Sequence, residues 1–307
     1  MRITWRRAVG IAVACLILFF MIRSLRSEIA GLGKHEFVVS PWRIAGAFAT
    51  YAILFLIYGA LWKYILGKFG YSLPYVKSLR VWLLSQAGRY VPGKVWFALG
   101  RIYLSEREGV PRSVTTVATA LELALVLASS LVVFGLASVA AGTLGGHPYA
   151  WSVVLVPVIV AGVHPKIIGR AVRLLRKGQG EFTMKYVDVL KILAAYAGCW
   201  CLYGLGFYLV GTAVVVKAAG VAGGPPMGRG LLPEMIGINA LSWTVGFISI
   251  VTPAGLGVRE GIAFSLLSKA VDKPYPSLIP LVARLWVTIA EVAAIGIAAI
   301  PGGRRQR

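Results

Sequence analysis

Two short stretches of this sequence combine helix-breaking residues with cations in otherwise apolar surroundings. One reads Ser249-Ile-Val-Thr-Pro-Ala-Gly-Leu-Gly-Val-Arg-Glu-Gly261, and the other reads Gln86-Ala-Gly-Arg-Tyr-Val-Pro-Gly-Lys-Val-Trp96. A broken helix exposes backbone N–H groups that bind anions, and arginine adds a bidentate donor, so phosphate is the ligand that this chemistry favours. The predicted phosphate-binding residues are Arg89, Gly93, Lys94, Gly255, Gly257 and Arg259, and the predicted breaks are at Pro92 and Pro253.

Two glutamates stand near the middle of apolar stretches, where an ionisable group is costly and therefore suggests a function. They are Glu122 and Glu291. Arg284 precedes Glu291 by seven residues, which places both on one helical face. We expect these three residues and Glu260 to line a polar cavity inside the membrane. The alternative is a structural ion pair that holds helices together.

Aromatic residues flank both breaks. Tyr90, Trp96 and Trp243 are predicted to line a groove for an acyl or prenyl chain, although a place at the membrane interface or a packing role is an alternative for each of them. Arg89 and Lys94 likewise have an alternative, since long basic side chains near a membrane surface extend to lipid head groups.

The signatures of common enzymes are absent from the sequence. It has no Gly-rich P-loop, no Ser/His/Asp order, no His/Cys metal spacing and no paired-Asp motif of sugar-nucleotide enzymes. We therefore expect no enzymatic activity, no cofactor and no metal site. Cys15, Cys199 and Cys201 lie in apolar runs without disulfide or metal spacing, which favours packing roles.

The composition indicates an integral membrane protein. Of 307 residues, 58% are hydrophobic and 14% charged, and the mean hydropathy is +0.78. The net charge of +21 comes from basic residues at helix ends and in loops, a pattern typical of membrane topology signals rather than of nucleic-acid binding. The expected partners are membrane lipids, in particular anionic lipids or lipid-linked phosphates, and an enzyme of a lipid pathway is a further candidate.

The hydrophobic pattern predicts an all-α, polytopic membrane protein in which residues 1–307 form a single domain. The N-terminal run resembles a signal peptide, but no small-residue cleavage site follows it, so we interpret it as an uncleaved helix. Six spanning helices are predicted at about 8–26, 44–66, 113–141, 149–163, 187–215 and 277–299, and two interrupted segments at about 79–104 and 234–269.

The distribution of basic residues predicts the topology. Connection 164–186 carries six Lys and Arg residues whereas 142–148 carries none, so the first is expected in the cytoplasm. Both termini are then cytoplasmic if segment 234–269 is a re-entrant hairpin that enters from outside. Segment 79–104 would enter from the cytoplasm, which makes 44–141 and 187–299 inverted repeats. Prolines eleven residues before Glu122 and Glu291 fit this pairing.

Several of these motifs together resemble a known family. They are Gly88-Arg-Tyr-Val-Pro-Gly-Lys-Val-Trp96, Glu122, His164-Pro165 and Pro253-Ala-Gly-Leu-Gly-Val-Arg-Glu260. The chain resembles the lysylphosphatidylglycerol synthase transmembrane-region family, also called UPF0104 or the flippase-like domain family. The resemblance implies a multi-pass protein of the cytoplasmic membrane, related to the lipid-flipping half of multiple peptide resistance factor and to domains linked with hopanoid or polyprenyl-phosphate-sugar pathways.

Two features depart from the family pattern. No aminoacyl-transferase domain follows the membrane region, so we do not expect lysyl transfer. Leu123 stands where a basic residue is common in relatives, which leaves the charge partner of Glu122 open. The sequence thus predicts a translocase, or flippase, for a phospholipid or polyprenyl-phosphate-type lipid. The alternatives are a non-transporting membrane module that binds a lipid precursor or scaffolds a glycosyltransferase, and an intramembrane transferase or hydrolase.

Overall fold

Most of the predicted helices fall within the described part of the chain. The computed structural model describes residues 36–90, 95–141, 154–162, 164, 184–217, 229–249, 255 and 257–300. Several predictions lie outside these residues: the first helix at 8–26, the phosphate-site and break residues Pro92, Gly93, Lys94 and Pro253, and both chain termini.

Four long helices form the framework. They are α1 (Pro41–Lys68), α4 (Arg112–Ala140), α6 (Tyr186–Ala213) and α9 (Tyr275–Ala299). Each is long and apolar enough to cross a membrane, and the shortest has 25 residues, about 38 Å at 1.5 Å per residue. Exposed apolar side chains on them, such as Ile53, Leu136 and Ile289, suit contact with lipid. Four of the six predicted spanning helices are therefore confirmed as long apolar helices, and the chain is a helical membrane protein.

The other described helices are short. Within the predicted helix 149–163, the described helix is α5 (Leu155–Gly162). Segment 79–104 contains α2 (Tyr75–Gln86), a 3-10 turn (Ala87–Tyr90) and α3 (Trp96–Arg107). Segment 234–269 contains α7 (Leu232–Ile248) and α8 (Val258–Leu267). These four helices have 10 to 17 residues, so none exceeds about 26 Å, less than the roughly 30 Å of a bilayer core.

The two pairs of short helices reach the middle of the bundle from opposite ends of α4. The pair α2–α3 leads into the start of α4, where Arg112 bonds Glu106 at 2.7 Å. Helix α7 lies against the other half of α4 and runs antiparallel to it, because Thr244 lies 2.5 Å from Ser130 whereas Gly237 packs against Ala137. The two breaks lie close together, because Phe97, which follows the first break, contacts Phe247, which precedes the second, with ring centroids 6.5 Å apart.

A small sheet was not predicted. Strand β1 (Glu36–Val39) pairs antiparallel with β2 (Val214–Lys217), with Val39 opposite Val214. Both strands are rich in β-branched valine, which favours extended backbone. The ladder joins the start of α1 to the end of α6, and Lys68 bonds Asp188 at 2.9 Å where α1 ends and α6 begins. These two helices are therefore antiparallel.

Glycines allow helix α6 to pack closely against its neighbours. A Cβ at Gly204 would lie 2.5 Å from the Cα of Ile236 on α7, and one at Gly206 would lie 2.5 Å from the ring of Trp286 on α9. This close packing places the face of α6 that carries Tyr203 against both the second break and the last long helix. The candidate site lies at this junction.

Candidate functional site

A cavity lies where the two breaks meet, with about 50 Å³ of space for the centres of water molecules. The 3-10 turn after α2, the start of α3, both helices of the second pair, α6 and α9 all contribute to its wall. The lining residues are Arg89, Tyr90, Phe97, Tyr203, Trp243, Gly246, Phe247, Arg259, Arg284, Val287 and Glu291. The cavity thus brings together predicted site residues that are up to 202 positions apart in the sequence.

Arg89 extends from the first break into this cavity. Its guanidinium donates hydrogen bonds to Gln86 Oε1 and Glu291 Oε1, each at 3.2 Å. It also lies over the ring of Trp243, 5.6 Å from the centroid. Arg89 therefore connects the first break both to the last long helix and to the second pair of short helices.

Glu291 is a buried carboxylate with three hydrogen-bond donors. Its exposed fraction is 7%. Tyr51 donates to Oε1 at 3.1 Å, Tyr90 donates to Oε2, and Arg89 is the third donor. Arg89 is its one cationic partner within 4 Å among the described residues.

Arg259 enters the cavity from the second break and is 9% exposed. It donates to the Tyr203 hydroxyl at 2.7 Å and to Asn239 Oδ1 at 3.1 Å, and it lies 5.4 Å from the centroid of the Tyr203 ring. Both acceptors are neutral, and no carboxylate lies within salt-bridge distance of Arg259 in the described residues. A buried guanidinium in this position is suited to an anionic ligand.

Glu260 lies beside Arg259 and caps the start of α8. Its Oε2 accepts a hydrogen bond from the Gly257 N–H at 2.7 Å, and its Oε1 lies 3.8 Å from Arg284 Nε. Gly257 adopts φ +82°, a conformation that suits glycine, and Gly255 (φ +72°) packs against the carbonyl of Gly246. Neither glycine lines the cavity that contains Arg89 and Arg259. They shape the chain that presents Arg259.

Glu122 belongs to a separate polar cluster. It forms a salt bridge with Arg101 and accepts hydrogen bonds from Trp82 Nε1 at 2.9 Å and from the Tyr196 hydroxyl at 3.2 Å. Arg101 is 2% exposed, lies over the Trp62 ring and also donates to Ser85. The structure thus supplies the charge partner that the sequence left open. The arrangement matches the structural ion pair weighed as an alternative.

A second cavity, with about 70 Å³ of space for the centres of water molecules, adjoins the first and includes Glu122 in its wall. The two cavities share six lining residues, which are Arg89, Phe97, Tyr203, Trp243, Phe247 and Glu291. Half of the other residues around the second cavity are aromatic, among them Tyr58, Trp82 and Trp200. The combined space is therefore polar at the first break and largely aromatic beside it.

The charges around these cavities do not cancel. The described residues contribute four arginines (Arg89, Arg101, Arg259, Arg284) against three glutamates (Glu122, Glu260, Glu291), which leaves 4 − 3 = +1. Three of the arginines each lie within 4 Å of one glutamate, and the fourth is Arg259. Over the described residues, one added negative charge would bring this sum to zero.

Two aspects of the predicted site differ in the structure. Trp96 is 48% exposed and does not line either cavity, whereas Tyr90 and Trp243 do. Arg284 and Glu291 line the same cavity as their spacing predicted, yet Arg284 forms its salt bridge with Glu260. Sequence reasoning missed Arg101, Tyr51, Tyr203 and Asn239. The two tyrosines lie in long apolar runs, which predict a spanning helix but do not indicate a binding residue within it.

Comparison of the chain with protein-family models and with curated proteins finds no match.

Proposed function

We propose that this protein moves a lipid that carries a phosphate, either a phospholipid or a polyprenyl-phosphate-type lipid, across the cell membrane. The observation that supports this most directly is that Arg89 from one helix break and Arg259 from the other line the same cavity near the middle of the bundle. Membership of the flippase-like family, which the sequence motifs suggest, forms part of the same proposal.

The charge of the ligand follows from Arg259. Burying an ionised group is costly unless an opposite charge accompanies it, and the hydrogen-bond acceptors of Arg259 in the described chain are neutral. A phosphate would supply the missing charge, and its oxygens suit the planar donor fork of a guanidinium. One singly charged phosphate would neutralise the site.

Aromatic side chains beside the arginines are suited to contact the apolar part of the ligand. Phe97, Phe247 and Trp243 border both cavities next to the arginines, and the rings of Trp243 and Phe247 stack with centroids 5.0 Å apart. A head group held by the arginines would place the first carbons of its chain against these rings, with the remainder in the bilayer.

The order of the helices supports alternating access through two re-entrant hairpins. A long helix, two short helices and a long helix occur in α1–α4 and again in α6–α9, and the short pairs approach from opposite ends. This is the arrangement expected of inverted repeats around a central substrate site. The correspondence is not exact in detail, because Pro111 precedes α4 whereas Pro280 lies inside α9.

The predicted membrane orientation fits the packing of the last helix. Arg80 on α2 donates to the carbonyl oxygens of Ala298 and Ile300, so the end of α9 lies beside the first short pair. If the α2–α3 pair enters from the cytoplasm, the C-terminus is cytoplasmic as well, in agreement with the positive-inside rule. With the predicted helix at 8–26 also spanning, the proposal places both termini in the cytoplasm and the protein in the cytoplasmic membrane as a multi-pass component.

A reconstituted-vesicle assay tests the proposal. Purified protein is placed in vesicles with trace fluorescent phosphatidylglycerol, fluorescent polyprenyl phosphate or, for comparison, fluorescent ceramide, which lacks phosphate. An impermeant quencher reaches only the fluorescent lipid in the outer leaflet. Movement is measured as the decrease in the fraction of fluorescence that the quencher leaves. We expect movement of at least one phosphate lipid above empty vesicles, and ceramide movement equal to that in empty vesicles.

The control variant for this assay is Arg112→Gln, which removes an exposed arginine far from the cavity. It is expected to retain wild-type movement. No movement of either phosphate lipid would contradict translocation. Binding of such a lipid without movement would instead favour the non-transporting membrane module.

A further inference from the structure

The arginines that line the cavity at the breaks differ in their partners. Arg89 lies 3.2 Å from Glu291, and Arg284 lies 3.8 Å from Glu260, so each has a carboxylate beside it. Arg259 donates to two neutral acceptors, and no carboxylate of the described residues lies within salt-bridge distance of it. Among the described arginines of this wall, Arg259 therefore supplies the positive charge that a ligand can match, and it matches one negative charge.

Phosphate groups differ in the charge that they bring. A phosphodiester carries one negative charge near neutral pH, whereas a phosphomonoester, with a second pKa of about 6, carries nearly two at pH 8. The cavity has about 50 Å³ of space for the centres of water molecules, which is room for only about four waters. Because so few waters screen a charge poorly, the second charge of a monoester is costly where the described residues offer it no cation.

We propose that this site binds phosphodiester lipids, with one negative charge, in preference to phosphomonoester lipids, with two. The inference rests on the proposed function and narrows its substrate class. Phospholipids with an esterified head group and sugar-linked polyprenyl phosphates belong to the preferred class, whereas phosphatidic acid and unsubstituted polyprenyl phosphate do not. A monoester can still bind after its own phosphate takes up a proton from the solvent. At pH 8 about 1% of it is in that form, which limits the preference to about 100-fold.

Two matched pairs of probes test the preference on the detergent-solubilised wild-type protein at pH 8. Farnesyl methyl phosphate and farnesyl phosphate differ by one methyl group and one charge, and so do dihexanoyl phosphatidylmethanol and dihexanoyl phosphatidic acid. Isothermal titration calorimetry gives the affinity for each probe. We expect the diester of at least one pair to bind about 10- to 100-fold more tightly than its monoester. The pair that binds shows whether the site takes a prenyl chain or a diacyl chain.

The variant Glu291→Gln tests whether charge, rather than the shape of the added methyl group, produces the preference. The substitution leaves Arg89 without a carboxylate within 4 Å in the described chain and adds one positive charge to the cavity. Monoester binding should strengthen relative to diester binding, so most of the preference should be lost. Glu106→Gln is the matched control, because Glu106 also pairs with an arginine but is exposed and remote from the cavity. It should keep the wild-type preference.

The outcomes separate this inference from the proposed function. If the diester and the monoester of a binding pair have equal affinities, or if the monoester binds more tightly, the charge preference is overturned and the phosphate site still stands. A preference that Glu291→Gln leaves unchanged also overturns it. If no probe binds the wild type, the phosphate site itself is refuted, and lipid movement in the vesicle assay would have to use another route. The wild-type comparison decides the matter even if Glu291→Gln does not fold.

Discussion

Tyr203 holds the guanidinium of Arg259 in two ways, as a hydroxyl acceptor at 2.7 Å and as a ring 5.4 Å from the Arg259 Cζ. The hydroxyl fixes one edge of the guanidinium, and Asn239 accepts a second hydrogen bond at 3.1 Å from the same nitrogen. The orientation of Arg259 is therefore set before any ligand binds, which reduces the entropy lost on binding.

Replacement of this arginine should affect lipid movement more than folding. In Arg259→Gln, the amide can still donate to Tyr203 or Asn239 but carries no charge. Loss of a hydrogen bond to a charged group costs about 1.5–3 kcal/mol, so we expect the initial rate in the vesicle assay to fall by at least about tenfold. Thermal unfolding in detergent measures stability in parallel. A rate equal to that of the Arg112→Gln control would contradict the assigned role of Arg259.

The Arg101–Glu122 pair should behave as a structural element. In Arg101→Met a buried carboxylate loses its counter-ion, which is expected to lower the free energy of unfolding by about 3–5 kcal/mol. The double variant Arg101→Met/Glu122→Gln removes both charges and should recover most of that loss. Chemical or thermal unfolding of the single and double variants makes the comparison.

The exposed pair Arg112–Glu106 is the control for this double-variant cycle. Its removal should change stability by less than about 1 kcal/mol. A double variant no more stable than Arg101→Met would show that the cluster does not act as a charge pair.

The approach of the first break to α3 depends on Gly88. A Cβ at this position would lie 2.6 Å from the Cα of Phe97, so Gly88→Ala should push the turn away from α3 and displace Arg89 next to it. We expect a loss of stability of about 1–3 kcal/mol and a marked loss of lipid movement. Gly67→Ala is the control, because nothing lies within 4 Å of its Cβ position in α1. Equal behaviour of the two alanine variants would refute the close approach.

Labelling with an impermeant maleimide checks the orientation of the two short pairs. After replacement of the native cysteines by alanine, Lys269→Cys should react in intact cells, because it follows α8 at the end of the bundle assigned to the outside. Glu108→Cys, at the end of α3, should react only after the membrane is permeabilised. Reaction of Lys269→Cys only after permeabilisation would exclude the predicted topology.

The long helices were predictable because their apolar runs are continuous. The predicted segments 44–66 and 113–141 agree within a few residues with α1 (Pro41–Lys68) and α4 (Arg112–Ala140). Arg89 and Arg259 could also be selected from sequence, since each stands beside a cluster of helix breakers. Both were expected at one site, and both line one cavity.

The partners of these residues were not predictable in the same way. Arg101 lies 21 positions from Glu122 on a helix that sequence reasoning treated only as one arm of a break. Tyr51 reaches Glu291 across 240 positions, and strand β1 is four residues long with a partner in the second half of the chain. Such contacts depend on how the helices pack, and no local pattern in the sequence specifies them.

The β1–β2 ladder limits which parts of the protein can rearrange. Backbone hydrogen bonds join the residues before α1 to those after α6, and Lys68 pairs with Asp188 at the other ends of the two helices. These two helices are therefore connected at both ends. Sliding or tilting of one relative to the other would break contacts at the two ends at once. A transport cycle would therefore leave this pair as a stationary frame and confine the displacement to the short helices beside it.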